Sequence, residues 1–151
     1  MATKHIVCTR CGTINRVPAD KQLASGQCGA CKSKLSTDTP IDISETILNR
    51  LLAKDEGSFL LDVWAPWCGP CRMMAPAYME TAKHYGGALR FLKLNTEAFP
   101  NAGAALNVRG IPALLMFQSG SIVDQRAGVM TSQMMTKWID NSNIAASLTE
   151  I

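Results

Sequence analysis

The chain has 151 residues, 47% of them hydrophobic, which is enough for one ordinary core and a small appendage. Its longest apolar runs, "FLL" and "PALLMF", fall far short of the roughly 20 residues of a membrane-spanning helix, and "MATKHIVCTRC" lacks the apolar stretch of a secretion signal, so the expected location is cytoplasmic. The formal net charge of +3 is unevenly spread: residues 1–34 hold six Lys/Arg against the single acid Asp20, whereas 35–151 hold nine against eleven.

Aromatic residues follow the same division, none occurring before Phe59. Two modules are expected, 1–34 and 42–151, with 35–41 as connector and approach to the first strand. The first module cannot fold by burial alone. Ile6, Val7, Ile14, Val17 and Leu23 are too few to offset backbone ordering of roughly 1–2 kcal/mol per residue. Cys8, Cys11, Cys28 and Cys31 form CxxC-x16-CxxC, within the spacing of four-thiolate zinc sites, with Gly12 and Gly29 expected to help each tight turn. In a reducing compartment, thiols at this spacing read as metal ligands before disulfides. One structural Zn²⁺ bound this way supplies on the order of 10–16 kcal/mol. A pair of disulfides or a redox-sensitive zinc switch remains a rival reading; catalytic zinc does not fit, because four thiolates leave no open coordination position. Four thiolates and one Zn²⁺ together subtract two charges from the module's surplus of five, and no aromatic platform for bases is present, so no nucleic-acid partner is expected.

Along the second module the periodicities alternate. Residues 41–57 read as a helix with an Asp42/Glu45 capping pair, Ile47, Leu48, Leu51 and Leu52 on one face, and a stop at Gly57. Residues 59–65 read as a buried strand, 72–87 as a helix containing a proline, and 89–95 as an alternating strand. A short helix near 99–108, two strands around a Ser119/Gly120 turn, and a closing helix over 131–148 complete the order. From the first strand onward βαβαββα describes a central mixed sheet flanked by helices, an α/β architecture. The methionines are read as packing residues.

The third cysteine pair lies in "LLDVWAPWCGPCRMMAP". With "LKLN", "VRGIPALLMF" and "AG" following in order, residues from about 42 to 143 resemble the thioredoxin family throughout. The four-cysteine ribbon ahead of them resembles the zinc-containing bacterial branch of that family. The implied fold is the thioredoxin fold with a small N-terminal zinc ribbon.

The residue types suit redox work. If the helix begins near Gly69, Cys68 sits at its N-terminus, where unpaired amides and the dipole favour a thiolate. Pro70 fits the first turn, where its missing N–H costs nothing, and Cys71 lies three positions on, within disulfide reach. The family's attacking cysteine has a pKa of about 7 against about 8.5 for a free thiol, a value carried over from thioredoxins. At pH 7 that raises the thiolate fraction about fifteen-fold while reduced nucleophilicity takes back about five-fold. Acidification alone therefore gives only about three-fold; alignment and a ready second thiol must supply the rest.

Asp62 lies inside an apolar run, where a carboxylate should hold its proton more tightly. The resemblance implies that Asp62 deprotonates Cys71 and that Lys93 modulates Asp62, although a solvated strand lysine is an equally good reading of Lys93. Ile111–Pro112 matches the family's cis-proline loop. Trp67, Gly69, Pro70, Gly110, Ile111, Pro112 and Gly128 are the expected docking surface for a substrate peptide. The implied activity is protein-disulfide reduction, with disulfide-containing proteins as substrates and the NADPH-dependent flavoprotein thioredoxin reductase as recycling partner. No organic cofactor and no membrane partner are expected. The rival readings are a zinc-dependent binding or holdase module, and a disulfide isomerase or oxidase.

Overall fold

The computed structural model describes residues 2–148. Met1 of the expected first module and residues 149–151 of the expected second lie outside the described residues.

Strand β4 (Ser58–Trp64) forms the middle of a five-stranded sheet because its run of Phe59, Leu60, Leu61 and Val63 is apolar on both faces. The sheet order is β3 (Ile41–Asp42), β5 (Arg90–Asn95), β4, β6 (Ala113–Gln118) and β7 (Ser121–Ala127). The first three strands run parallel, and β6 and β7 continue antiparallel. Alternation along the strands divides the core. One face packs Phe59, Leu61 and Val63 against Ile47, Leu48 and Leu51 of α1 (Glu45–Lys54). The other packs Leu60, Leu114 and Met116 against Met74, Tyr78 and Ala82 of α2 (Gly69–Tyr85) and Met135, Trp138 and Ile139 of α4 (Ser132–Asp140). The short α3 (Pro100–Ala105) and α5 (Ala145–Leu148) complete the domain. This is the expected mixed sheet flanked by helices.

Several local expectations are corrected. Helix α1 is capped by Ser44, whose hydroxyl accepts from the Ile47 N–H, while Asp42 belongs to β3. Both residues are competent caps, and pairing of Ile41 and Asp42 with β5 decides between them. The helix stops at Lys54, before Gly57, because Asp55 turns inward. Helix α2 extends the periodic stretch 72–87 back to Gly69, the start that placing Cys68 at its N-terminus requires, and carries Pro76 within one continuous span to Tyr85. The closing helix breaks after Asp140, where the Ser142 hydroxyl donates to the Ile139 carbonyl and offers the backbone a local alternative to the helix. Three methionines read as packing residues, Met73, Met79 and Met134, are exposed.

Ahead of the sheet, β1 (Thr3–Val7) and β2 (Ile14–Pro18) form an antiparallel hairpin. Ile6, Val17 and Leu35 close a small core over Cys8 and Cys28, so Leu35, from the expected connector, packs with the ribbon. A buried carboxylate helps to join the ribbon to the domain, beside the hydrogen bonds from Arg50 Nε to the Gly12 carbonyl and from Glu56 N–H to the His5 carbonyl. Asp55 accepts from the Val7 N–H of β1 at 2.9 Å, from the Gly57 N–H at 3.1 Å, and from both Arg90 terminal nitrogens at 2.9 and 2.7 Å. Asp55 and Arg90 are 3% and 2% exposed. Val7 itself joins the α1-side core.

Candidate active site and cysteine cluster

The polypeptide leaves β4 at Trp64 and enters α2 at Gly69, so Cys68 occupies the N-cap. Its Sγ accepts from the Cys71 N–H at 3.2 Å, the contact a serine oxygen makes at an ordinary cap. The Cys68 carbonyl accepts from Arg72 N–H, and Pro70 occupies the first turn without loss of a bond. Cys68 and Cys71 are joined by a disulfide, with Cα atoms 5.2 Å apart. Both sulfurs lie in an apolar nest with Ala65, bordered by Trp64 and Ile111.

The expected docking residues flank this bridge. The Ile111 carbonyl lies 3.8 Å from Cys68 Sγ, and the Ile111–Pro112 bond is cis. The Gly128 N–H donates to the Pro112 carbonyl at 2.9 Å, at a left-handed φ of 89° that favours glycine. The structure thus brings Cys68, Ile111, Pro112 and Gly128 together. Trp67 is 67% exposed, and Pro70 and Gly110 are exposed as well.

On the sheet face covered by α2, Asp62 is 1% exposed and its Oδ1 has no hydrogen-bond partner among the described residues. Burial pushes its carboxyl from the ordinary 3.8 up to about 7; the Lys93 charge opposes that rise and the Asp42 charge adds to it. Lys93 is the cross-strand neighbour of Asp62, with Nζ 4.3 Å from the Trp64 ring centre. Tyr78 of α2 donates its hydroxyl to the Leu92 carbonyl, and burial, followed by the charge of Asp62, holds that hydroxyl well above the usual phenol range. Sequence reasoning gave no place in the site to Asp42 or Tyr78, and none in the fold to the Asp55–Arg90 pair. Tyr78 was findable in part, seven positions after Cys71 and so on nearly the same face of α2.

In the ribbon, Cys8, Cys11, Cys28 and Cys31 converge, with all four sulfurs within 4.8 Å of one another. The Cys8–Cys31 and Cys11–Cys28 sulfurs are 3.6 Å apart, close to the roughly 3.8 Å edge of a tetrahedron with metal–sulfur bonds of about 2.3 Å. None of the four is disulfide-bonded. Each knuckle closes in the same way: Gly12 N–H donates to the Cys8 carbonyl, and Lys32 N–H to the Cys28 carbonyl. The positive φ of 82° falls on Gly12, as expected, but its counterpart is Lys32, at 67°. Gly29 instead gives its N–H to Asn15 Oδ1. Four convergent thiols with these spacings are a metal-binding site for a soft tetrahedral ion.

A disulfide-linked cysteine pair whose first member caps a helix beside a cis-proline loop defines a thiol-disulfide oxidoreductase, and comparison with known proteins agrees. The thioredoxin family model matches residues 40–141, and the chain belongs to the thioredoxin family. Residues 7–33 match a second model, described as the N-terminal region of thioredoxin 2, a zinc ribbon. The chain is 37% identical over 135 residues to thioredoxin C-3 of Corynebacterium nephridii, covering 89% of this chain and 92% of that one. It is 36% identical over 110 residues to the chloroplastic M-type thioredoxin of Zea mays, covering 73% of this chain and 66% of that protein. Among solved structures, a mutant thioredoxin from Halobacterium salinarum superposes with a TM-score of 0.61 at 27% identity, over 70% of this chain and 91% of that one. The activity class is thioredoxin-type disulfide reduction. No helix among the described residues is long and apolar enough to cross a membrane.

Proposed function

We propose that the chain reduces protein disulfides through Cys68 and Cys71 and is recycled by thioredoxin reductase. The observation that carries this reading is the placement of Cys68 Sγ as the cap of α2, accepting from Cys71 N–H. In the reduced protein, Cys68 thiolate attacks one sulfur of a partner disulfide; an S–S bond forms to Cys68 and the partner's other sulfur leaves as thiolate. Cys71 then loses its proton to Asp62 and attacks Cys68 Sγ. The mixed disulfide breaks, the partner leaves with two reduced sulfurs, and two electrons have passed from this chain to it. Asp62 suits the step because its carboxyl titrates near neutrality and lies on the face that α2 covers. Lys93 tempers its charge, and Trp67, Gly69, Pro70, Gly110, Ile111, Pro112 and Gly128 receive the partner's backbone.

One zinc ion held by Cys8, Cys11, Cys28 and Cys31 would serve a structural role, since the four thiolates fill a tetrahedral shell. The reducing chemistry and the bacterial branch the ribbon matches support a cytoplasmic location. The test is NADPH consumption coupled through thioredoxin reductase with insulin as substrate. Wild type should turn over, Cys68→Ser should not, and Cys71→Ser should trap substrate in a covalent adduct. Turnover by Cys68→Ser would refute the assignment, and substrate binding by wild type without NADPH consumption would favour a binding module.

A further inference from the structure

Three charged residues stand side by side across three neighbouring strands. Strand β3 pairs parallel with β5 and sets Asp42 opposite Lys93; β4 pairs parallel with the other edge of β5 and sets Asp62 opposite the same Lys93. Residues in register on adjacent strands present their side chains to one sheet face, at strand spacings of about 4.8 Å. The row therefore reads carboxylate, ammonium, carboxylate, with the outer two on the order of 10 Å apart. The two ends differ in environment: Asp62 is buried in the middle of the sheet, and Asp42 is exposed on its edge. Lys93 closes no direct ion pair with either among the described residues, and its ammonium stands over the Trp64 ring.

We propose that Asp42 is a positioning residue of the active site: it divides the Lys93 charge with Asp62 across the sheet and thereby governs how readily Asp62 exchanges its proton with the cysteine pair. Asp62 also faces Tyr78 from α2, whose hydroxyl stays neutral, and apolar Leu114 opposite it on β6, while the bridged Cys68/Cys71 pair sits at the head of α2. Asp42 and Lys93 are thus the charged groups that tune it. Their effects oppose each other, the ammonium favouring the ionised acid and the Asp42 carboxylate disfavouring it. Removing the Asp42 charge also leaves Lys93 wholly to Asp62, so both consequences act in one direction.

This inference rests on the reading of Asp62 as the proton acceptor from Cys71, and its test separates the two. The ¹³C carboxyl resonance of Asp62 is titrated in the oxidised full-length protein, as wild type, Asp42→Asn and Asp42→Glu. Asp42→Asn should lower the Asp62 midpoint by about half a pH unit at low ionic strength, from Coulomb's law at roughly 10 Å in a partly aqueous medium. Asp42→Glu should restore it, and about 1 M salt should shrink the effect. An unmoved midpoint in Asp42→Asn overturns the proposal, as does an equal fall in Asp42→Glu, which would mark a packing role. The pH profile of insulin reduction is measured on the same variants. A profile that follows the midpoint supports both readings; a shifted midpoint with an unmoved profile keeps the charge row and removes Asp62 from proton transfer.

Discussion

Replacing Asp62 with Asn should make the protein more stable at neutral pH and a poorer reductase. Below about pH 4 the carboxyl is protonated in folded and unfolded chains alike and costs nothing for charge. From there up to about 7 the unfolded chain ionises while the folded one keeps its proton, so wild-type stability falls as pH rises, by up to about 1.4 kcal/mol per pH unit. Above about 7 both are ionised and the full penalty remains, on the order of 4 kcal/mol for a rise from 3.8 to about 7. Asn has the same shape and does not titrate. Its buried amide adds an offset independent of pH, of about 1–3 kcal/mol, which cancels when two pH values are compared. Urea denaturation of both oxidised proteins at pH 5.5 and 7 should show the variant gaining about 2 kcal/mol on wild type over that interval, and little more by pH 8.5. Its insulin turnover at pH 7 should fall on the order of a hundred-fold. A stability difference that stays constant with pH would refute the assigned burial of charge, whatever the kinetics.

Asp55→Ala leaves the Val7 and Gly57 amides without their acceptor and the buried Arg90 guanidinium without its counter-charge, with only the Ser58 carbonyl still accepting from it, a loss of about 3–5 kcal/mol. Calorimetry should show melting about 6–20 °C lower; a fall worth less than about 1 kcal/mol would mean that other contacts carry the junction. Stripping metal with a chelator at neutral pH should expose four additional titratable thiols and abolish amide protection in the β1–β2 hairpin while β4 and β5 stay protected. Retained hairpin protection would show that the small core around Ile6, Val17 and Leu35 suffices on its own.

The central strand, the helix that follows the cysteine pair and the burial of Asp62 were legible because each is written locally. An apolar run this short, bounded by Gly57 and Pro66, favours a buried strand over a helix, and a carboxylate inside it is buried with it. What the sequence concealed depends on partners distant along the chain. Strand β3 is two residues long, too short for any periodicity, and exists only because Lys93 and Leu92 lie beside it. That pairing also moved the cap from Asp42 to Ser44. Asp55 and Arg90 are 35 positions apart, and nothing near either marks them as a pair. In the ribbon the cysteine spacing revealed the cluster, whereas the left-handed turn at Lys32 follows from closing the second knuckle and not from residue preference.

In the proposed mechanism the sulfur at the head of α2 has two duties, as the reacting atom and as the acceptor that finishes the helix. In the bridged form it receives the Cys71 amide as a neutral, feeble acceptor; once electrons arrive it receives the same amide as an anion, and the bond strengthens. Opening the bridge removes the covalent tie across the first turn and strengthens the amide contact across the same turn, so one restraint gains as the other is lost. Each cycle passes the head of α2 from a covalent restraint to an electrostatic one and back.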